Sequence, residues 1–186
     1  EIIKNSKPTS RTLEKVKDVF VFLCLTAFRI SEIRNIKEEL IEKIPNKQFY
    51  SMILFQEKTG KTIEPVICEK AYKILVRYNY FKDFMSNQKI NEYLKELAKE
   101  LNLDRNIMTI KTIGNKATTE TKKVYELIAS HWGRRYYETY FNIHNVRNVS
   151  RRNSGHTSDK MDDLYDKRSQ LEKDISVLEK LELFQN

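Results

Sequence analysis

The sequence predicts a mainly α-helical fold with a small antiparallel β-sheet, an α+β domain. Apolar residues recur at helical spacing in segments such as 10–27 and 86–101. Between them, the β-rich segments 49–55 and 62–67 flank a polar stretch that contains Gly60, a pattern typical of a hairpin. A chain of 186 residues is also long enough to bury a core without disulfides.

The remaining elements follow from the same patterns. Ser10 or Thr12 is suited to cap the first long helix, and Pro65 places its strand at an edge of the sheet or near the strand end. The other expected elements are a short helix from about Ser31, helices over 69–80 and 86–101, an irregular stretch over 102–123, and helix in pieces from Val124 onward.

Composition narrows the possible partners. Lys and Arg number 34 against 26 Asp and Glu, so the formal charge is +8, which favours a polyanion such as nucleic acid or an anionic membrane surface. The longest apolar run, residues 19–28, is too short to span a bilayer, and we expect no membrane partner. Cys24 and Cys68 have no metal-ligand spacing, so we expect a reducing compartment and no zinc site.

Several polar residues stand where a chemical role is plausible. Arg29 follows an apolar helix, and Lys58 lies at the tip of the expected hairpin. His131 and Arg134 are one turn apart on a helix. His156 follows a glycine, and Tyr165 comes nine residues after His156. Their local sequences are T-A-F-R-I-S-E (26–32), K-T-G-K (58–61), H-W-G-R (131–134) and G-H (155–156). In this order they resemble the catalytic domain of tyrosine recombinases, the phage-integrase family, over nearly the whole chain from Leu13 to Arg168.

The resemblance implies that Tyr165 is the nucleophile and that Arg29 and Arg134 hold the scissile phosphate. The chemistry is sound. Two guanidiniums can grip non-bridging oxygens in pairs and neutralise the charge that grows during attack. A tyrosine phenol, with an ordinary pKa of about 10, forms an ester and also leaves readily, which suits a reversible reaction.

The resemblance also implies roles for the other three residues. His131 and His156 would transfer protons or donate hydrogen bonds, and Lys58 would protonate the leaving 5′ oxygen. The sequence contains no acidic cluster with metal-ligand spacing, so we expect neither a metal site nor a cofactor.

Structural roles are the alternative for these residues. Arg29 is also suited to an ion pair with Glu32 or to a helix end, Lys58 to a solvated turn, and His131 to a core contact. Three tyrosines form a core-facing or groove-facing cluster in which we do not expect the nucleophile: Tyr136, Tyr137 and Tyr140. A basic set is suited either to contacts with DNA phosphates or to a solvated face: Arg147, Arg151 and Arg152.

The function implied is site-specific recombination, integration or excision, of double-stranded DNA through a covalent 3′-phosphotyrosine and a free 5′ hydroxyl. Two other functions stay open, relaxation of DNA by a type IB topoisomerase and DNA binding without catalysis by a helix-turn-helix over 145–153. The interpretation as a recombinase implies a catalytic domain over 1–168. Since the chain begins at Glu1, it also implies an N-terminal DNA-binding domain outside this chain.

Residues 169–186 form a predicted amphipathic helical tail, with Leu171, Ile175, Leu178 and Leu181 on one stripe. Such a stripe needs an apolar partner, either its own domain or a neighbouring protomer. The resemblance favours the neighbour, within a homo-oligomer that is a tetramer in the synaptic complex. It also implies a cytoplasmic protein on bacterial DNA, encoded by a phage or another mobile element.

Overall fold

The structure, a computed structural model, describes residues 2–113, 116–144 and 147–155, together with Ile175, Leu178 and Glu179. The helices of these residues are α1 (Ile2–Asn5), α2 (Arg11–Thr26), α3 (Glu69–Arg77), α4 (Asn87–Glu100), α5 (Val124–Leu127), α6 (His131–Ile143) and α7 (Arg147–Ser154). The strands are β1 (Ile41–Lys43), β2 (Phe49–Met52), β3 (Leu54–Gln56), β4 (Lys61–Ile63), β5 (Val66–Cys68), β6 (Asn106–Ile113) and β7 (Lys116–Lys123). The α+β fold predicted from the sequence is confirmed.

Helix α2 is the centre of the core. It begins where Ser10 Oγ accepts a hydrogen bond of 3.1 Å from the Leu13 N–H, which confirms the predicted cap. It ends at Ala27, whose φ of 63° lies in the left-handed region and turns the chain sharply. Phe22, fully buried on α2, packs edge-on against the rings of Phe28 and Phe81 at centroid distances of 5.8 and 5.3 Å.

Helix α6 lies directly against α2 because Gly133 leaves room for it. A Cβ at Gly133 would fall 2.7 Å from the Leu23 Cβ of α2, which is closer than packed side chains allow. Any larger residue at this position would push α6 away from α2. The close contact brings His131 and Arg134 of α6 to the end of α2.

The two predicted strands divide into four shorter ones, β2 to β5, and β1 is a further strand that the sequence did not predict. Strand β2 pairs antiparallel with β1 and with β5, whereas β3 and β4 form a separate hairpin. The strand expected over 49–55 is interrupted at Ile53, which stays in register with β1 by donating its N–H to the Leu40 carbonyl and lies opposite the break at Glu64 and Pro65. The strand expected over 62–67 is interrupted at Pro65, which lacks an N–H for the ladder.

The helices expected over 69–80 and 86–101 are confirmed as α3 and α4, although α3 ends at Arg77. Beyond it, the chain reverses through three consecutive left-handed residues, Asn79, Tyr80 and Phe81, with φ of 48°, 54° and 57°. The buried Phe81 ring is thereby directed into the core beneath α2. The short helix expected near Ser31 is a 3₁₀ turn over Glu32–Asn35.

The irregular stretch expected over 102–123 is wrong for most of its length, because residues 106–113 and 116–123 form a long ribbon. Strands β6 and β7 pair in register from Asn106 opposite Lys123 to Ile113 opposite Lys116. One face of the ribbon is solvent-exposed, and Met108 and Ile110 are each 72% exposed there. The ribbon residues whose side chains the structure describes, 106–110 and 117–123, are exposed or half-buried, so they are under no constraint to alternate apolar and polar residues.

Within the described residues, we find no helix with the length and apolar character needed to cross a bilayer.

The described part of the tail packs on its own chain. Ile175 and Leu178 are 7% and 1% exposed, and both belong to the main core cluster. The Glu179 carboxylate lies 2.6 Å from Lys47 Nζ, in the turn between β1 and β2. The rest of 169–186 lies outside the described residues, so docking of the tail on a neighbouring protomer stays a prediction.

We expect Leu178→Ala to lower the free energy of unfolding by about 2–5 kcal/mol, because it removes a buried side chain and leaves a cavity. Urea unfolding at a concentration where the chain is monomeric measures the loss. Ile110→Ala is the matched control, since the exposed Ile110 has little packing to lose. An unchanged monomer stability in Leu178→Ala would mean that the tail packs only on a neighbour.

Candidate active site

Arg29 is held by a buried carboxylate just beyond α2. Its backbone N–H donates to Glu32 Oε2 at 2.7 Å, and its Nη1 lies 2.5 Å from Glu32 Oε1. The Glu32 side chain is 3% exposed and that of Arg29 is 20% exposed. The ion pair considered in the sequence analysis is therefore present, and it leaves the guanidinium partly accessible in a fixed orientation.

Arg134 is the buried centre of the site. Its Nη1 donates to the Ala27 carbonyl at 3.0 Å and its Nη2 to the Ser154 carbonyl at 2.7 Å, while Nε donates to Glu138 Oε1 at 3.1 Å. The side chain is only 3% exposed. One guanidinium thus joins the end of α2 to the end of α7.

The structure brings Arg29, His131 and Arg134 together. Burial lowers the pKa of the Arg134 guanidinium, and the charge of Arg29 lowers it further, against the opposing effect of Glu138. Partial desolvation, followed by Arg135 and Arg134, lowers the pKa of His131 below its ordinary 6.5. The three groups act on one another because they share one small region, and the two guanidinium charges there attract an anion.

Lys58 lies in the exposed turn of the β3–β4 hairpin, as predicted. The turn is tight because the Gln56 carbonyl accepts from the N–H groups of Thr59 and Gly60 at 3.2 and 2.9 Å. Gly60 adopts a left-handed φ of 64°, which glycine tolerates without strain. The hairpin thus holds the lysine at its tip, away from the sheet.

The base of this hairpin meets the end of α7. The Ser154 carbonyl that accepts from Arg134 also accepts from Gln56 Nε2 at 3.2 Å. Gly155 follows with a φ of 71°, and a Cβ placed there would overlap the Gln56 carboxamide. The contact therefore requires glycine immediately before His156. His156 and Tyr165 themselves lie outside the described residues.

The end of α7 is docked on the sheet by Asn153, which sequence reasoning missed. Its side-chain amide accepts from the Val66 N–H at 3.1 Å and donates to the Val66 carbonyl at 2.9 Å, so it pairs with β5 as another strand would. It also donates to the hydroxyl of Tyr137 at 3.0 Å. Tyr137 is fully buried and stacks on Phe141, so of the two orientations considered for this tyrosine, core-facing and groove-facing, the structure shows the core-facing one.

The predicted DNA-contacting arginines lie on α7. Arg152 donates from Nε to the Glu64 carbonyl at 2.7 Å, and its Nη2 lies 3.6 Å from Glu64 Oε2. An open cleft of about 450 Å³ runs between β4 and α7, lined by Lys61, Thr62, Ile63, Glu64, Arg151, Arg152 and Gly155. Arg147 is in the first turn of α7, and its side chain is not among the described ones.

Other chemistries find little support in the described part of the chain. No group of three or more His, Cys, Asp and Glu side chains gathers there as metal ligands do. Both cysteines are free, and burial raises the pKa of Cys24 to about 12 and that of Cys68 above its ordinary value. Each thiol is therefore protonated at neutral pH and is a poor nucleophile.

The lowered pKa of His131 predicts a pH dependence of stability. The unfolded chain, with its histidine near 6.5, takes up the proton before the folded chain does, so stability falls as the pH drops through 6.5 and levels off below the folded pKa. Between about pH 8 and about pH 5, we expect the parent to lose more unfolding free energy than His131→Gln. Urea titrations at both pH values measure the difference. Parallel losses in the two proteins would contradict the assigned environment of His131.

No family model matches the chain, and no curated protein is significantly similar to it in sequence. Its structure is similar to that of XerH site-specific recombinase bound to difH substrate in a pre-cleavage complex (TM-score 0.54, 11% identity, 95% of this chain and 49% of that one). It is also similar to a post-cleavage complex of XerH with palindromic difH substrate, with a TM-score of 0.55, 10% identity, and coverage of 96% of this chain and 49% of that one. The Tn1549 transposon integrase in complex with circular intermediate DNA is similar with a TM-score of 0.50 and 14% identity, over 82% of this chain and 53% of that one. The chain spans about half the length of these proteins, and it has the fold of the tyrosine-recombinase catalytic domain.

Proposed function

We propose that this chain is the catalytic domain of a DNA strand transferase, a tyrosine recombinase that cuts and rejoins double-stranded DNA at specific sites. One observation carries the proposal. The two arginines and the histidine that the sequence motifs single out, Arg29, Arg134 and His131, come together from distant parts of the chain. They do so on a fold that this chain shares with recombinases solved in complex with DNA.

The cation cluster is suited to a scissile phosphodiester. Arg29 is oriented by Glu32 and Arg134 by two carbonyls and Glu138, so both guanidiniums are in place before DNA arrives. Donors that are already oriented stabilise the charge of the pentacoordinate phosphorus without reorganising during the reaction. They are most effective where water is largely excluded, as it is around the buried Arg134.

The covalent step then proceeds as follows. The phenolic oxygen of Tyr165 attacks phosphorus, the bond from phosphorus to the 5′ oxygen breaks, and a 3′-phosphotyrosine forms. The phenolic proton passes to a histidine, His131 or His156, and Lys58 donates a proton to the departing 5′ oxygen. His131 is suited to accept because its lowered pKa keeps it neutral near pH 7. A 5′ hydroxyl from another strand reverses the step and releases Tyr165.

DNA phosphates beside the scissile one fit the cleft between β4 and α7. Lys61, Arg151 and Arg152 supply positive charge along it, and its end at Gly155 lies next to the site. Exchange between two DNA sites needs several active sites at once, so we expect the working form to be a homo-oligomer, a tetramer in the synaptic complex. Recombination of this kind is carried out on bacterial DNA by phages and other mobile elements. We therefore propose that a phage or another mobile element encodes this chain and that it acts on DNA in the bacterial cytoplasm.

The nucleophile is tested with a nicked suicide substrate, in which the cleaved fragment diffuses away and traps the covalent complex. We expect the parent to give a covalent protein–DNA band and Tyr165→Phe to give none, because the variant lacks the attacking oxygen. DNA affinity measured by anisotropy stays within about threefold, less than ~1 kcal/mol. Tyr136→Phe, at an exposed tyrosine on α6, is the matched control and keeps the band.

Absence of the band in the parent would leave only DNA binding. Relaxation of a plasmid without any recombination site would instead favour a type IB topoisomerase. A band that persists in Tyr165→Phe would move the nucleophile to another residue.

Two arginine variants separate catalysis from DNA binding. Arg134→Lys keeps the charge but loses the planar fork, so single-turnover cleavage at saturating DNA falls by roughly 100-fold or more. Arg151→Ala weakens binding instead and lowers the salt slope of the affinity by about one unit. Circular dichroism verifies that both variants are folded. Equal effects on cleavage and on salt slope in both variants would contradict the separation.

A further inference from the structure

Gln56 is a buried polar side chain that the proposed chemistry does not use. It is the last residue of β3, two positions before Lys58, and it is 0% exposed. A buried carboxamide is costly unless its donor and acceptor both find partners. Its oxygen accepts from Thr59 Oγ1 at 3.1 Å and its nitrogen donates to the Ser154 carbonyl at 3.2 Å.

These bonds connect two parts of the candidate site. On one side, Gln56 holds the turn that carries Lys58, through its side chain and through its own carbonyl, which accepts from Thr59 and Gly60. On the other side, it donates to the Ser154 carbonyl, which also accepts from Arg134 and lies two residues before His156. A continuous set of hydrogen bonds therefore runs from the hairpin turn to the buried guanidinium.

The close packing at Gly155 makes this connection stiff. The left-handed glycine lies against the Gln56 carboxamide with no space for a side chain. A lysine in an exposed turn samples many positions when its turn is free, and each misplacement by about 1 Å can cost about 100-fold in rate. A turn fixed at its base limits where the ammonium group can be.

We infer that Gln56 is a positioning residue that aligns Lys58 with Arg134, so that the proton donor and the phosphate-binding arginine act as one unit. The inference rests on the proposed function. It assigns to Gln56 no contact with DNA and no proton transfer. Its effect is confined to the step in which the 5′ oxygen leaves, because that is the step in which Lys58 acts.

The test compares two leaving groups in single-turnover cleavage. One suicide substrate has the natural 5′ oxygen, and the other has sulfur at that bridging position. A thiolate leaves without protonation, so a defect in proton donation disappears with sulfur, whereas a defect in the rest of the site does not. Gln56→Met keeps the length of the side chain and removes both hydrogen bonds.

We expect Gln56→Met to cleave the oxygen substrate about 10- to 100-fold more slowly than the parent, and the sulfur substrate at the rate of the parent. Lys58→Ala shows the same pattern with a larger loss. Thr59→Val removes only the arm to the turn and gives a smaller loss of the same kind. Phe55→Thr is the control on the same strand, since Phe55 points to the opposite, exposed face and its loss affects neither substrate.

A Gln56→Met variant that is slow on both substrates would have a general structural defect and would overturn the inference. Parent-like cleavage of the oxygen substrate by Gln56→Met would overturn it as well. Failure of the parent to cleave either substrate would contradict the proposed function itself, so the two outcomes are distinguishable.

Discussion

The buried guanidinium of Arg134 is the interaction on which the rest of the site depends. Arginine stays charged in proteins, and a charge removed from water must be compensated by partners in good geometry. Here the guanidinium donates to the carbonyls of Ala27 and Ser154, which are far apart in sequence. The end of α2, the end of α7 and the orientation of the arginine are therefore fixed together, and none of them can form correctly alone.

The same arrangement gives the site its electrostatic character. Burial lowers the pKa of Arg134 most, repulsion from the nearby Arg29 lowers it further, and the carboxylates of Glu138 and Glu32 act in the opposite direction. The folded chain thus keeps positive charge in a region poor in water, where charge interactions are strong. Folding creates this repulsion and an anion relieves it, so a ligand of that kind would bind the folded form and stabilise it.

Sequence patterns predicted the elements that obey local rules. The cap at Ser10 follows from the residue type at a helix start, and α4 follows from its periodic apolar stripe. Both elements are where they were expected. The β6–β7 ribbon was missed because its exposed strands, with Met108 on the surface, carry no alternation. Pro65, predicted to lie at an edge or near a strand end, does precede the first residue of β5, but the resulting division into two sheets was not predicted.

The same division applies to the site. Arg29, His131 and Arg134 were predicted from short motifs, and the structure brings them together, while the roles of all six predicted residues stay predictions. Gln56 and Asn153 have no sequence signal, since a single amide in a strand or a helix is unremarkable until its neighbours are known. Nothing in the local sequence indicates that the first lies against Ser154 and the second against Val66.

The bonds that build the site go mostly to main-chain atoms. Arg134 donates to the carbonyls at 27 and 154, Gln56 to the one at 154, and Asn153 pairs with the main chain of Val66. Every residue type offers a main-chain carbonyl, so the residue at 154 can change without loss of the bond, the one at 66 can be any that keeps the N–H donated to Asn153, and the one at 27 any that tolerates a left-handed φ of 63°. Only the donating side chains and the glycines that permit close approach, Gly133 and Gly155, have to be kept. Few fixed side chains therefore suffice to build such a site.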